Sequence, residues 1–362
     1  MTDLAPQEQF AFPFVDNYNV PGSAFEQTGF DKLPKPDDVR LGLLQYRERR
    51  ADAWELSNGF LRPSVMMYRE LGLAVKFGHH VSVSEAHALL FVRKHCPEVP
   101  VPEVYAWRRN RRQTFIYMQH IEGQKVHFED LDEDQLRSFA RALERVPQSL
   151  VSPIPFIGWC PVVASPIMYG DALSFSTTNK LGHVNGRPLR NWEFINSATP
   201  HAGPFPSLAA FHDWLTTDFG KSPSMSRGLC APTATYDADT ARRHVRTAEN
   251  RARLATKVPI VLTHGRLGSE NVLVRYPAHD GGSSSGPSPP QIVAVLDWST
   301  AGWMPAHWEH CGEMCNDDKA CILHEQFIDG PSKNGHGDTA KVDGAVLDHV
   351  NSVVHFTLSA SH

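Results

Sequence analysis

A chain of 362 residues with 41% hydrophobic and 21% charged side chains has the make-up of a soluble globular protein, long enough for one large two-lobed domain or two ordinary ones. Its formal net charge of −5 lacks the basic surplus of a nucleic-acid-binding surface. No apolar run approaches the ~20 residues that span a bilayer, the acidic start MTDLAPQEQFAFPF is no secretory signal, and six scattered cysteines suggest no disulfide framework, so no membrane partner and a reducing, cytoplasmic setting are expected.

The first 35 residues, rich in Pro, Asp, Gln and Phe, read as an irregular arm. WELSNGFL, SVMMYREL and GLAVKFG then read as short strands, with Asn58-Gly59 as a turn. Ser82, with Glu85 three residues on, makes a capping box for a helix whose apolar face carries Leu89, Leu90 and Val92. VPVPEVYAW and QTFIYMQHIEG give two more strands, and the basic run from Arg108 to Arg112 reads as a solvated turn between them. DLDEDQLRSFARALERV, SLAAFHDWLTTDF and DADTARRHVRTAENRARL are amphipathic helices. The Gly/Pro/Asn-rich stretch 161–204 is irregular. VPIVLTHG, NVLVRY and QIVAVLDW are short apolar β-type runs, and the low-complexity stretch 278–290 makes a hairpin tip between the last two. The resulting division is an arm (1–35), a small sheet with one helix (36–120) and a mainly helical remainder (121–362): an α+β chain with a small antiparallel sheet lobe and a larger helical lobe. Cys311, Cys315 and Cys321 lie near His307 and His310, but their spacing lacks the paired pattern of a structural zinc site.

Four residues in order carry the chemistry. Lys76 ends the strand AVKF, where an amine can meet nucleotide phosphates. Glu85 follows on the next helix and can hold that lysine by an ion pair. In HGRLGSEN, 264–271, the amide oxygen of Asn271 can ligate Mg²⁺. Asp297, in VLDW after a hairpin, can bridge Mg²⁺ to phosphates. Each alone has a plainer explanation: a solvated strand lysine, a capping glutamate, a loop amide, a turn aspartate. Their joint occurrence in this order is what points to a kinase-like fold.

With AVKFG, SVSEAHALLFV, VPVPEVYAW, FIYMQHIEG, GPFPSLAAFHDWL, LTHGRLGSENVLV and VLDWSTAGWMPAHWE in sequence, the chain resembles the aminoglycoside phosphotransferase family, its fungal members above all, over about 53–309. The resemblance implies a protein-kinase-like two-lobed fold, ATP and Mg²⁺, and transfer of the γ-phosphoryl group to a hydroxyl of a small molecule. It implies that Lys76 contacts phosphates, that Glu85 orients Lys76, that Met118, Gln119, His120 and Ile121 border the adenine mainly through backbone groups, and that Asn271 and Asp297 hold the metal. The chain has no clear glycine-rich phosphate loop.

The family pattern is H-G-D-L-x-x-x-N, and its aspartate accepts the proton of the attacking hydroxyl. Here His264 and Gly265 are followed by Arg266, which has no acceptor lone pair and stays charged. Three outcomes are open. Transfer persists, with Arg266 on the γ-phosphate and Glu270 orienting the hydroxyl. The chain is a pseudokinase that binds nucleotide or a partner. Or the cleft serves another reaction, such as a cyclisation. Asp213, Asp218 and Glu309 read as helix-surface or structural groups, while Trp303, Trp308 and 161–204 are candidates for shaping an apolar substrate site. Neither the acceptor nor the oligomeric state is legible.

Overall fold

A computed structural model of the chain describes residues 10–50, 63–125, 133–150, 180–189, 203–214, 258–268, 271–276, 290–306 and 308–309. The expected strand at 54–61, the helix at 237–254, the hairpin tip, Asp218, Glu270 and the Cys311–Cys321 stretch lie outside them. The chain divides into two compact units: Phe12–Leu143 with Arg266–Ala301, and Met1–Ala11 with Glu144–Gly265 and Gly302–His362.

The first unit is built on a five-stranded antiparallel sheet in the order β1-β4-β5-β3-β2. Its strands are β1 (Asn17–Asn19), β2 (Ser64–Tyr68), β3 (Leu73–Gly78), β4 (Val104–Asn110) and β5 (Gln113–Gln119). Residues directly opposite in the ladders share a face. Leu73, Val75 and Phe77 on β3 stand beside Tyr117 and Phe115 on β5, and the Phe77 and Phe115 rings stack at 5.0 Å. That outer face is the core of the unit. Phe25 of α1 (Ala24–Thr28), Leu33, and Val39 of α2 (Pro36–Arg50) cover it, all buried. The described part of the expected irregular arm is therefore structured, because its Phe25 and Leu33 side chains, with Val39 just beyond it, are the other half of that core. Tyr18 of β1 also stacks on Trp107 at 4.7 Å.

Helix α2 opens on Pro36 with Asp37 and Asp38 in its first turn, a favourable start for the backbone and the dipole. Periodicity does not announce it, since Leu41, Leu44 and Tyr46 remain exposed while Val39 is buried. The Lys76 face of the sheet is covered in part by α3 (Val83–His95). Of the basic run only Arg111 and Arg112 form the expected turn, both exposed; Arg108 and Arg109 lie in β4, and Arg108 is only partly exposed and donates to the carbonyl of Tyr18 at 2.8 Å. The hairpin β8 (Val272–Arg275) and β9 (Gln291–Val295) and the helix α4 (Glu133–Glu144) complete the unit, the helix where its apolar spacing places it.

The second unit contains a three-stranded sheet, β6-β10-β7, from Gly182–His183, Gly302–Pro305 and Ile260–Thr263, and the short helix α5 (Leu208–Asp213) capped by Ser207. β6 falls within the stretch expected to be irregular. Gly302 is required where it lies: a Cβ there would meet the Gly182 carbonyl at 2.6 Å. Among the described residues no helix is long and apolar enough to cross a membrane.

Candidate functional site

The site is assembled by two ladders and a hairpin. β3 places Lys76 opposite Ile116 in the middle of the sheet, and burial there leaves the residue 7% exposed. Its Nζ lies 2.7 Å from Glu85 Oε1 and 2.7 Å from Asp297 Oδ1, the latter 221 residues away along the chain. Hairpin pairing of Val272 with Val295 brings Asn271 beside Leu296, whose N–H donates to the Asn271 carbonyl at 2.7 Å. Asp297 is the next residue. Four of the expected site residues thus meet in one unit.

Glu85 departs from the capping box. Ser82 caps α3 by accepting from the N–H of Ser84, and the Glu85 carboxylate turns inward to Lys76 instead of back to Ser82. A buried ammonium without a counter-charge is costly, which outweighs the cap. Burial raises Glu85 to about 7 against the pull of Lys76, and the nearby Asp297 adds to the rise. Lys76 is held above its ordinary value: burial lowers it, but the two carboxylates together more than offset that.

Asp297 adopts left-handed backbone, φ 59° and ψ 61°, uncommon for a residue with a side chain and concentrated at functional turns. Its Oδ1 also accepts from the Ser299 hydroxyl at 2.8 Å. Trp298, fully buried, anchors the turn through its indole N–H on the Val295 carbonyl at 3.0 Å. Asp297's side chain remains 44% exposed, so the carboxylate is open to a ligand. Asn271 donates its Nδ2–H to the Arg266 carbonyl at 2.8 Å, which fixes the amide and commits its NH₂ end, so that Oδ1 is the atom a metal would meet. Mg²⁺ typically takes one or two protein oxygens and fills its octahedron with phosphate oxygens and water. This pair of hard oxygen donors fits it. Among the described residues no group of three or more His, Cys, Asp or Glu forms a denser metal cage.

The four residues expected at the adenine border are partly committed. The N–H of Gln119 donates to the Glu103 carbonyl and that of His120 to the Gly72 carbonyl, both at 2.8 Å, so these two N–H groups are already committed. Sequence reasoning missed the residues beside them. Val65, Met67 and Ala74 share the Lys76 face with the expected Met118, and Val65 and Met67 are about half exposed. The signal was in SVMMY: Val65 through Tyr68 is continuously apolar, so both faces of the strand need covering. Protein covers one.

In the second unit, His264 is fully buried. Its N–H and that of Gly265 donate to Glu309 Oε2 at 2.6 and 3.0 Å. A buried carboxylate thus pins the loop's first two residues. Arg266, in the first unit, is partly exposed, and its carbonyl also accepts from Gly268 at 3.0 Å.

Among solved structures, the chain is similar to a thermostable mutant of the aminoglycoside phosphotransferase APH(4)-Ia in its apo form, with 15% identity over 80% of this chain and 82% of that one and a TM-score of 0.41. It is also similar to an aminoglycoside-3′-phosphotransferase of type VIII, with 12% identity over 77% and 84% and a TM-score of 0.37. No curated protein matches the chain. The model of the phosphotransferase enzyme family matches residues 80–310, most of the chain and every motif from α3 to Glu309, and the chain belongs to that family.

Proposed function

We propose that the chain binds Mg·ATP on the Lys76 face of its first sheet and is an atypical phosphotransferase acting on a small metabolite. The observation that carries this is the Lys76 ammonium clasped between Glu85 and Asp297. A decayed scaffold has no reason to keep a buried cation aimed at a partly open carboxylate. Val65, Met67, Ala74 and Met118 offer a flat apolar bed for the base. Lys76 binds phosphate oxygens, while Asn271 Oδ1 and Asp297 hold the metal. Mg²⁺ bound there neutralises phosphate charge. Arg266 cannot take the proton of a hydroxyl acceptor, which removes a contribution of about 10²–10⁴ in rate, so transfer to an ordinary hydroxyl is slow.

A second reading, a nucleotide-binding pseudokinase, draws on the same clasp, since a lysine already satisfied by two carboxylates can hold a cleft shut. Titration calorimetry with ATP and Mg²⁺, followed by ADP release, separates the two. Wild type binds in a Mg²⁺-dependent way and releases ADP slowly. Asp297→Asn, which keeps the left-handed turn and loses the charge, weakens binding by about tenfold or more. Equal affinity in the variant removes the site, and binding without any ADP release selects the pseudokinase.

A further inference from the structure

We infer that His87 is a positioning residue for the Lys76–Glu85 pair, and that the segment Phe12–Val15 acts on the nucleotide site through it; this rests on the nucleotide reading above. Paired residues in the ladders make one row across the sheet, from β2 to β1: Val65, Lys76, Ile116, Trp107 and Tyr18. Helix α3 touches that row at two points. Glu85 Oε1 meets Lys76 Nζ at 2.7 Å, and the buried His87 ring meets the Trp107 ring edge-on at 5.4 Å. The chain's N-terminal segment is fastened to the same histidine. His87 Nε2 lies 3.1 Å from the Pro13 carbonyl, and since a carbonyl only accepts, Nε2–H is the donor. The Phe12 and Phe14 rings lie 5.1 and 5.3 Å from the imidazole, and Phe12, itself buried, reaches on to Phe91 one turn along α3 at 6.1 Å. The Trp107 indole N–H donates to the Val15 carbonyl at 2.8 Å, which ties the segment to the sheet as well as to the helix.

Glu85 and His87 are two residues apart, which at ~3.6 residues per turn sets them roughly 200° apart around the helix axis. One bonds to β3, the other to the segment and to β4. The two contacts therefore grip different flanks of α3 and fix its roll. A helix gripped on one flank alone can turn about that grip, and a small turn carries Glu85 away from Lys76. The inward position of Glu85 also needs outside support. The carboxylate has given up its cap, and its Oε2 is buried with no hydrogen-bond partner among the described residues, a costly state that persists only when surrounding contacts hold it. Phe12–Val15 thus serves the Lys76 face of the sheet, whereas Phe25, Leu33 and Val39 serve the outer one.

The test uses the full chain with three replacements. His87→Leu keeps an apolar side chain of similar size and loses the donor, His87→Gln keeps an N–H at the end of the side chain, and Phe12→Ala removes the packing; circular dichroism shows that each is folded. Mg·ATP titration into wild type comes first, and its failure would remove the nucleotide reading itself. Amide hydrogen exchange along Val83–His95 without nucleotide is independent of that reading. It should quicken about tenfold in His87→Leu and Phe12→Ala and stay at the wild-type rate in His87→Gln. Where wild type binds, the same two variants weaken Mg·ATP about tenfold, and His87→Gln by less than about twofold. In a Glu85→Gln background His87→Leu adds less than about twofold, because its effect runs through Glu85. Wild-type affinity and exchange in folded His87→Leu and Phe12→Ala, a His87→Gln as weak as His87→Leu, or losses that add in full to that of Glu85→Gln overturn the inference and leave the nucleotide site standing.

Discussion

Glu85 has two local fates open to it. At the third position of a helix it can cap, and the pattern S-x-x-E says it should. Folding instead draws it to Lys76, and the outcome is written in its titration. Burial holds the proton on folded Glu85 up to about 7, whereas in the unfolded chain it leaves near 4.5. The folded state therefore binds more protons between those values, so this residue's contribution to stability is full below 4.5 and is lost as pH rises through about 7. Glu85→Gln removes that dependence. Urea unfolding from pH 4.5 to 7.5 should show the wild-type curve falling relative to the variant by about 3 kcal/mol, and parallel curves would mean that Glu85 is ionised throughout. The sequence supplied the Lys76–Glu85 pairing through order along the chain, but not the loss of the cap, because capping is local and burial is not.

At the scale of elements, the hairpins decide what meets. Asn271 and Asp297 were legible as a pair because NVLVRY and QIVAVLDW are short apolar β-type runs with a low-complexity stretch between, and pairing two such runs closes the distance between their outer ends. The β4–β5 hairpin was legible too, but its turn chemistry was not. Arg111 and Arg112 both have positive φ, 50° and 61°, in a two-residue connection between Asn110 and Gln113. Such turns favour Asn-Gly, since left-handed backbone is costly for residues with a Cβ. The paired Asn110 and Gln113 and the Arg40 guanidinium that bonds both hold the turn in place. Replacing Arg111-Arg112 by Asn-Gly should stabilise the chain by about 1 kcal/mol, read as a higher urea midpoint. The exposed Arg111–Asp37 pair that is lost, at 3.7 Å, is worth little beside that. A lower midpoint would mean that the arginines hold more than the turn.

At the scale of the molecule, a sheet has two faces and both must be covered. One face of the first unit belongs to the nucleotide reading: α3 shields Trp107 and Ile116, and Val65 and Met67 are left half open beside Lys76. The other face is closed by residues from the chain's first forty, of which the first 35, rich in Pro, Asp, Gln and Phe, read from composition as an irregular arm. What composition hides is spacing in three dimensions. Phe25, Leu33 and Val39 come from three separate short pieces and converge on Tyr105, Phe115 and Tyr117, and the Tyr117 hydroxyl donates to the Pro34 carbonyl at 2.8 Å. The segment is therefore the outer wall of the sheet that positions Lys76, not an appendage. Phe25, 2% exposed with its ring 5.1 Å from that of Tyr105, is the largest of the three side chains. Phe25→Ala should cost about 3–5 kcal/mol, the range for emptying a buried aromatic site, measured by urea unfolding of the full chain. A dispensable arm would lose less than about 1 kcal/mol, as surface changes usually do, and the outer face would then need another cover.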